Sequence, residues 1–229
     1  MQVHIPWHWT CRTWAGRCPL IFNTVFGAIN DRTRIVHPGT GLVVEGFPRS
    51  GNSFSVFAFM NSGADKMELA HHVHSPSQII LAARYGIPAV LLVRAPADAV
   101  AAGLAKIATH TGSDLLRAYA LYYESLLPLR EHYVIAPFET VTSAAGRVVS
   151  AVNKRFGTSF SAIPPERHAL LSKAFLAREK LEGLANSGAE PPATLPPGLI
   201  DGPLGDRARS AHGRMLAAAA ADDTLLRSV

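Results

Sequence analysis

Short, unbroken apolar runs separated by amphipathic stretches set the rhythm of this chain. Leu42-Val43-Val44 is one such run, and Ala89-Val90-Leu91-Leu92-Val93-Arg94 is another, polar only at its last residue. Runs of this length without alternation predict strands covered on both faces of a parallel sheet. Weaker strand signals lie at 68–74 (Glu-Leu-Ala-His-His-Val-His) and at Tyr133-Val134-Ile135-Ala136. Between them, apolar residues recur at helical intervals over 54–61, 76–85, 96–107, 114–130 and 139–156. Asn61-Ser62-Gly63 closes the first of these, Ser75-Pro76 opens the second, and Gly157 ends the last. Strand and helix in alternation predict an α/β fold of three layers, a doubly wound, mainly parallel sheet with helices on both faces.

The two ends of the chain read differently. Residues 1–40 gather Trp7, Trp9 and Trp14 with Arg12, Arg17, His4 and His8, and Pro19 precedes Leu20-Ile21-Phe22 and Val25-Phe26, a short amphipathic helix. This aromatic and basic extension suits either a cover over the core or a partner, or an anchor at a headgroup boundary through residues 7–26. Residues 41–229 form a single α/β domain. Within it, 164–184 reads as a charged helix, 188–205 as a Pro- and Gly-rich loop or lid, and 207–226 as a closing helix with an alanine run.

Composition narrows the classes. With 229 residues, 48% hydrophobic and 17% charged, the chain holds a sizeable core and is not largely disordered. A formal charge of +5, from 22 basic against 17 acidic residues, suits an anionic ligand or surface. No basic block or nucleic-acid motif accompanies it, so no nucleic-acid partner is expected. The two cysteines, Cys11 and Cys18, exclude a disulfide scaffold and form no C-x-x-C motif. No apolar run nears the ~20 residues that span a bilayer. The start lacks the order of a secretory signal, so a cytoplasmic protein is expected, with peripheral membrane contact the variant.

The candidate chemistry begins where the first strand ends. Leu42-Val43-Val44-Glu45-Gly46-Phe47-Pro48-Arg49-Ser50-Gly51-Asn52-Ser53 runs from an apolar strand through a glycine-bearing turn to a helix start. Such a junction aims unpaired N–H groups and the positive end of a helix dipole at one place. Gly46 and Gly51 keep the glycine frame of the Walker A loop, and Ser53 holds its hydroxyl position. Asn52 stands where that motif has lysine, and the cation appears three residues earlier as Arg49. This disfavours triphosphate hydrolysis and makes a nucleotide kinase a weak reading. Two further strand ends carry polar groups, His74 and Arg94, and sheets of this kind bind ligands at strand ends.

With these sites in view, the chain resembles the sulfotransferases that use 3′-phosphoadenosine-5′-phosphosulfate (PAPS). Their loop, P-[KR]-[SA]-G-[TN]-[ST]-[WF], is matched by Pro48-Arg49-Ser50-Gly51-Asn52-Ser53-Phe54. His74-Ser75-Pro76 is loosely similar to their histidine turn, and Arg94-Ala95-Pro96-Ala97-Asp98 to their strand-end arginine. The strand-to-helix step at 133–142, with Pro137-Phe138-Glu139, also looks like theirs. The resemblance covers about residues 41–157 and implies a P-loop NTPase-like fold with PAPS as co-substrate and no metal. It implies that Pro48, Arg49, Ser50, Gly51, Asn52, Ser53 and Arg94 bind the nucleotide. Arg49 would meet the charge on the leaving phosphate, and His74 would take the proton of an acceptor hydroxyl on a carbohydrate, lipid or small metabolite.

His71, His72 and His74 crowd one segment. On an extended strand His72 and His74 share a face, which makes His72 a partner of His74, or the two a zinc pair that no nearby ligand completes. Ala102 stands where the family has a serine for the 3′-phosphate. Ile200 and Asp201 stand where its C-terminal arginine and lysine fall, before Gly202-Pro203-Leu204-Gly205-Asp206. Arg94 then holds that phosphate alone, or Arg178, Lys180 or Arg207 joins it, or PAPS binding is lost. The last case leaves a catalytically silent phosphate-loop domain. Acceptor contacts are expected from 61–67 and 188–205.

Overall fold

The computed structural model describes residues 9–26, 32–106, 110–181, 195 and 198–222. Four strands form one sheet: β1 (Leu42–Gly46), β2 (Leu69–His71), β3 (Ala89–Val93) and β4 (Val134–Pro137). Every pairing is parallel, and the order is β2-β1-β3-β4. The chain runs from β1 outward to β2 and then crosses back to β3, so the order reverses between β1 and β3. That switch point opens a crevice at the carboxyl ends of the strands.

Strand side chains alternate between two cores. Val43, Ala70, Leu91, Val93 and Ile135 face one, and Leu42, Val44, Val90, Leu92, Val134 and Ala136 face the other. The first core is covered by α1 (Trp9–Ala15), α3 (Pro76–Tyr85), α4 (Pro96–Lys106), α5 (Gly112–Leu126) and α8 (Pro203–Ala221). The second is covered by α2 (Asn52–Met60), α6 (Phe138–Phe156) and α7 (Pro165–Leu181). The expected α/β sheet with helices on both faces is therefore present, and its described strands are all parallel. Continuous apolar runs were the right signal for β1 and β3 because neither face of these central strands meets water.

Several boundaries differ from the sequence reading, each for a physical reason. The helix predicted over 114–130 ends at Leu126, and a 3₁₀ turn, Leu127–His132, follows, because Pro128 cannot continue an α-helix. The predicted loop ending at Gly205 gives way at Pro203, which occupies the first turn of α8. Residues 182–194, 196–197 and 223–226, which belong to the predicted 164–184 helix, the 188–205 loop and the 207–226 helix, lie outside the described residues.

The strand predicted over 68–74 stops at His71. Beyond it, the N–H groups of Val73 and His74 bond the Glu45 carboxylate, at 3.0 and 3.1 Å, in place of a neighbouring main chain. A side chain thus ends the ladder, and His72 and His74 no longer share a strand face.

The aromatic start of the chain packs onto this body. The Trp9 and Thr10 N–H groups donate to the Asp114 carboxylate at 2.7 and 3.1 Å, and the Trp9 ring packs near Phe47, His74 and His110. The segment predicted as an amphipathic helix after Pro19 is a short α-turn, Pro19–Ile21, that widens into a π-turn over Phe22–Phe26 and buries Phe22.

Candidate functional site

The turn between β1 and α2 is built by its two glycines. A Cβ on Gly46 would sit 2.8 Å from both Cβ and the carbonyl oxygen of Leu92, so only glycine lets β1 and β3 close here. Gly51 caps α2 with φ of +91°, the left-handed region that favours glycine. Arg49 shares that region at φ +68°. In an α-helix the first four N–H groups lack an intrahelical acceptor, here those of Gly51, Asn52, Ser53 and Phe54. With the positive end of α2, they are the groups from which an anion cradle would be built.

Ser50 is placed differently from its neighbours. Its N–H donates to the Phe47 carbonyl at 3.2 Å, and its hydroxyl is fully buried 3.5 Å from the Tyr123 hydroxyl. The cradle therefore begins one residue later than the motif suggests. Tyr123 donates its own proton to the Leu92 carbonyl at 2.8 Å, and Tyr119 donates to the carbonyl of Arg94. Burial pushes both phenols well above the ordinary tyrosine range, so they remain neutral struts beneath the loop.

The histidine segment beside β2 is held by Glu45, whose side chain is wholly buried. One carboxylate oxygen takes the N–H groups of Val73 and His74, and the other takes that of Gly46 at 3.1 Å. His74 Nδ1 lies 2.9 Å from the Gly46 carbonyl, which only accepts, so Nδ1 carries the proton. In the neutral ring Nε2 is then the bare nitrogen. His72 Nε2 lies 3.1 Å from Ser53 Oγ, and its Nδ1 lies 2.8 Å from Nδ1 of His71. Desolvation, then the neighbouring His74 and His71, lowers the His72 pKa to about 4, which keeps its ring neutral near pH 7. His72 and His74 adopt φ of +59° and +54°.

Arg94 follows β3, and its Nη1 donates to the Arg49 carbonyl at 2.9 Å. Its guanidinium lies 4.2 Å over the Phe138 ring at the end of β4. Its Nε is buried without a partner, and desolvation, first among the causes, lowers its pKa. Arg94 thus ties the β1–α2 turn to the next strand end across the crevice.

These groups line one cleft of about 840 Å³. It includes Pro48, Arg49, Gly51, Asn52 and Ser53 from the loop, His72 and His74 beyond β2, and Arg94 beyond β3. Of Pro48 to Ser53, His74 and Arg94, only Ser50 is absent from the lining. Among the described residues, Arg49, His72 and His74 are the three non-glycine positions with positive φ, and all three line this cleft. Backbone strain of order 1–3 kcal/mol each persists only where surrounding structure enforces it, and it gathers at functional sites.

Other lining residues were not legible in the sequence. Trp9 arrives from α1, Lys106 from the last turn of α4, and Phe175 and Glu179 from α7. Lys106 lies one helical turn beyond Ala102, on the same face, and that spacing was the one available signal. Arg178 and Lys180 are not in the lining, and Arg207 is paired with Glu124 at 2.6 Å elsewhere. Residues 61–67, expected to contact an acceptor, do not reach it either. Among the described residues, no group of three His, Cys, Asp or Glu side chains is placed to hold a metal. No helix among them is long and apolar enough to cross a membrane. Compared with protein-family models, with curated proteins and with solved structures, the chain finds no match in any of the three.

Proposed function

We propose that this protein is a sulfotransferase of P-loop NTPase-like fold, moving a sulfuryl group from PAPS to an acceptor hydroxyl of a carbohydrate, lipid or small metabolite. One observation carries the reading. The phosphate loop after β1, His74 after β2 and Arg94 after β3 line a single cleft at the switch point of a parallel sheet.

The residues divide the work between them. The N–H groups of Gly51 to Phe54 and the Ser53 hydroxyl would hold the 5′-phosphate, and Arg94 with Lys106 the 3′-phosphate. The co-substrate supplies the sulfuryl group, and the bond broken is the one between sulfur and the bridging phosphate oxygen. Arg49 and the α2 terminus would take up the charge left on that oxygen. Nε2 of His74 would accept the acceptor's proton as its oxygen bonds to sulfur. Sulfuryl transfer of this in-line, loose kind depends mainly on positioning and charge, by analogy with phosphoryl transfer.

Adenosine 3′,5′-bisphosphate, the product nucleotide, is expected to stabilise the protein. At about 100 times Kd the gain is ~2.7 kcal/mol, seen as a rise of several degrees in Tm. No shift at millimolar nucleotide would overturn the reading. Lys106→Ala is expected to weaken binding of the bisphosphate about tenfold, the loss of one charge-assisted contact. Binding of adenosine 5′-monophosphate, which lacks the 3′-phosphate, should change far less. Equal losses for both nucleotides would remove Lys106 from the 3′ end.

A catalytically silent phosphate-loop domain is the second reading. It is favoured by one observation: no described residue of 198–222 reaches the cleft. Its membrane-peripheral form would use Trp14, Arg17 and Leu20, which are exposed together near the start of the chain.

A further inference from the structure

The sulfuryl-transfer reading gives Glu45 no part in the reaction, yet Glu45 is the most confined acidic group near the cleft. It sits on β1 one residue before the glycine frame, with none of its side chain exposed. A carboxylate buried this completely persists only when its oxygens are satisfied and a counter-charge is near. Both conditions hold. Its oxygens accept from the N–H groups of Gly46, Val73 and His74, and one of them also lies 3.4 Å from His74 Nδ1.

The counter-charge comes from the start of the chain. Arg12, on α1, donates from Nη2 to the carbonyl of Val73 at 2.8 Å, so the Val73 residue is gripped at its N–H by Glu45 and at its C=O by Arg12. Arg12 is half-buried beneath Trp9, whose ring lies 5.1 Å from its guanidinium; desolvation by burial lowers its pKa, and the Glu45 charge opposes that shift. The two side chains together fix a segment whose flanking residues, His72 and His74, are held at positive φ.

We propose that Glu45 is a positioning residue that holds His74 in the Nδ1–H tautomer with Nε2 bare, and that Arg12 completes this clamp from α1. The inference rests on the sulfuryl-transfer reading only for the use made of Nε2. The chemistry of the clamp can be followed atom by atom. One oxygen must accept from two main-chain N–H groups, and the other faces the Gly46 N–H and the protonated Nδ1. An amide in place of the carboxylate keeps one acceptor oxygen but turns the second position into a donor. That NH₂ then meets the Gly46 N–H and the His74 Nδ1–H donor to donor. Moving the His74 proton to Nε2 relieves the clash at Nδ1 at the expense of its bond to the Gly46 carbonyl, and it removes the base from the cleft.

The test is ¹⁵N NMR of the histidine side chains in the free protein, with His74 assigned by its loss in His74→Asn. Native protein is expected to show His74 protonated at Nδ1, and Glu45→Gln to show it shifted toward Nε2–H. In the sulfuryl-transfer assay, Glu45→Gln should lose about a hundredfold in kcat, the scale of general-base catalysis, with the KM for PAPS little changed. A native His74 protonated at Nε2, or a Glu45→Gln tautomer identical to the native one, overturns the proposal. If Glu45→Gln does not fold, the native tautomer still decides. Because that spectrum needs no co-substrate, failure to bind adenosine 3′,5′-bisphosphate would count against sulfuryl transfer alone. A native Nε2–H with binding intact would count against the clamp alone.

Discussion

Arg49→Ala is expected to lower kcat by about a hundredfold to a thousandfold, the loss of one preorganised donor at developing charge. On the proposed sulfuryl transfer, the charge in question would grow on the oxygen that leaves sulfur, so Arg49 would act more on the transition state than on the bound co-substrate, and KM should change less than kcat. The fold should tolerate the change. The Arg49 side chain is exposed, and it is the residue's carbonyl, not its guanidinium, that Arg94 holds at 2.9 Å. Alanine and arginine meet the same penalty at φ +68°, so the backbone gains no new strain. Arg49→Lys keeps the charge and is expected to keep most of the activity. Steady-state kinetics with a thermal melt of each variant gives the answer. A rise in KM with kcat preserved would make Arg49 a ground-state phosphate contact only.

Much of this site could be read from the sequence because its parts follow strand ends. Gly46, Gly51 and Arg49 were legible from spacing, since a strand, a tight turn and a helix start admit few arrangements. Arg94 was legible because it closes the most apolar run in the chain. What escaped was set by tertiary packing. Glu45 reads in sequence as one polar residue at the end of a strand, and nothing local says that its carboxylate will reach Val73 and His74, 28 and 29 residues away. For that reason the strand over 68–74 was read three residues too far at its C-terminal end. Trp9 and Lys106 enter the cleft from elements whose placement depends on the whole fold. Ser50 fits the motif in type, but its direction depends on Tyr123, 73 residues on.

The three strained residues connect these observations. Arg49, His72 and His74 could each relax to φ below zero if their neighbours allowed it, and none of them is glycine or asparagine. Each is held by a long-range contact: Arg94 to the Arg49 carbonyl, Ser53 to the His72 ring, Glu45 to the His74 N–H. The strain is therefore maintained by the side chains that line or support the cleft. Relaxing any one would move a charged or basic group relative to the α2 terminus.

His74→Asn is expected to lower kcat by about 10²–10⁴, the range for a general base, while leaving the bisphosphate-induced Tm shift in place. Asparagine is the better replacement because it tolerates positive φ more readily than alanine, and here φ is +54°. Its amide N–H can also donate to the Gly46 carbonyl where Nδ1 does now, so the loop keeps its anchor. What asparagine cannot do is accept a proton. His72 is poorly placed to stand in. Its Nε2 is engaged with Ser53 Oγ, and a pKa lowered to about 4 leaves it a weak base near pH 7. His72→Asn should therefore cost less in kcat than His74→Asn, and the comparison assigns the base. The opposite ranking, with both variants still binding the nucleotide, would move proton transfer to His72 and leave His74 as part of the scaffold.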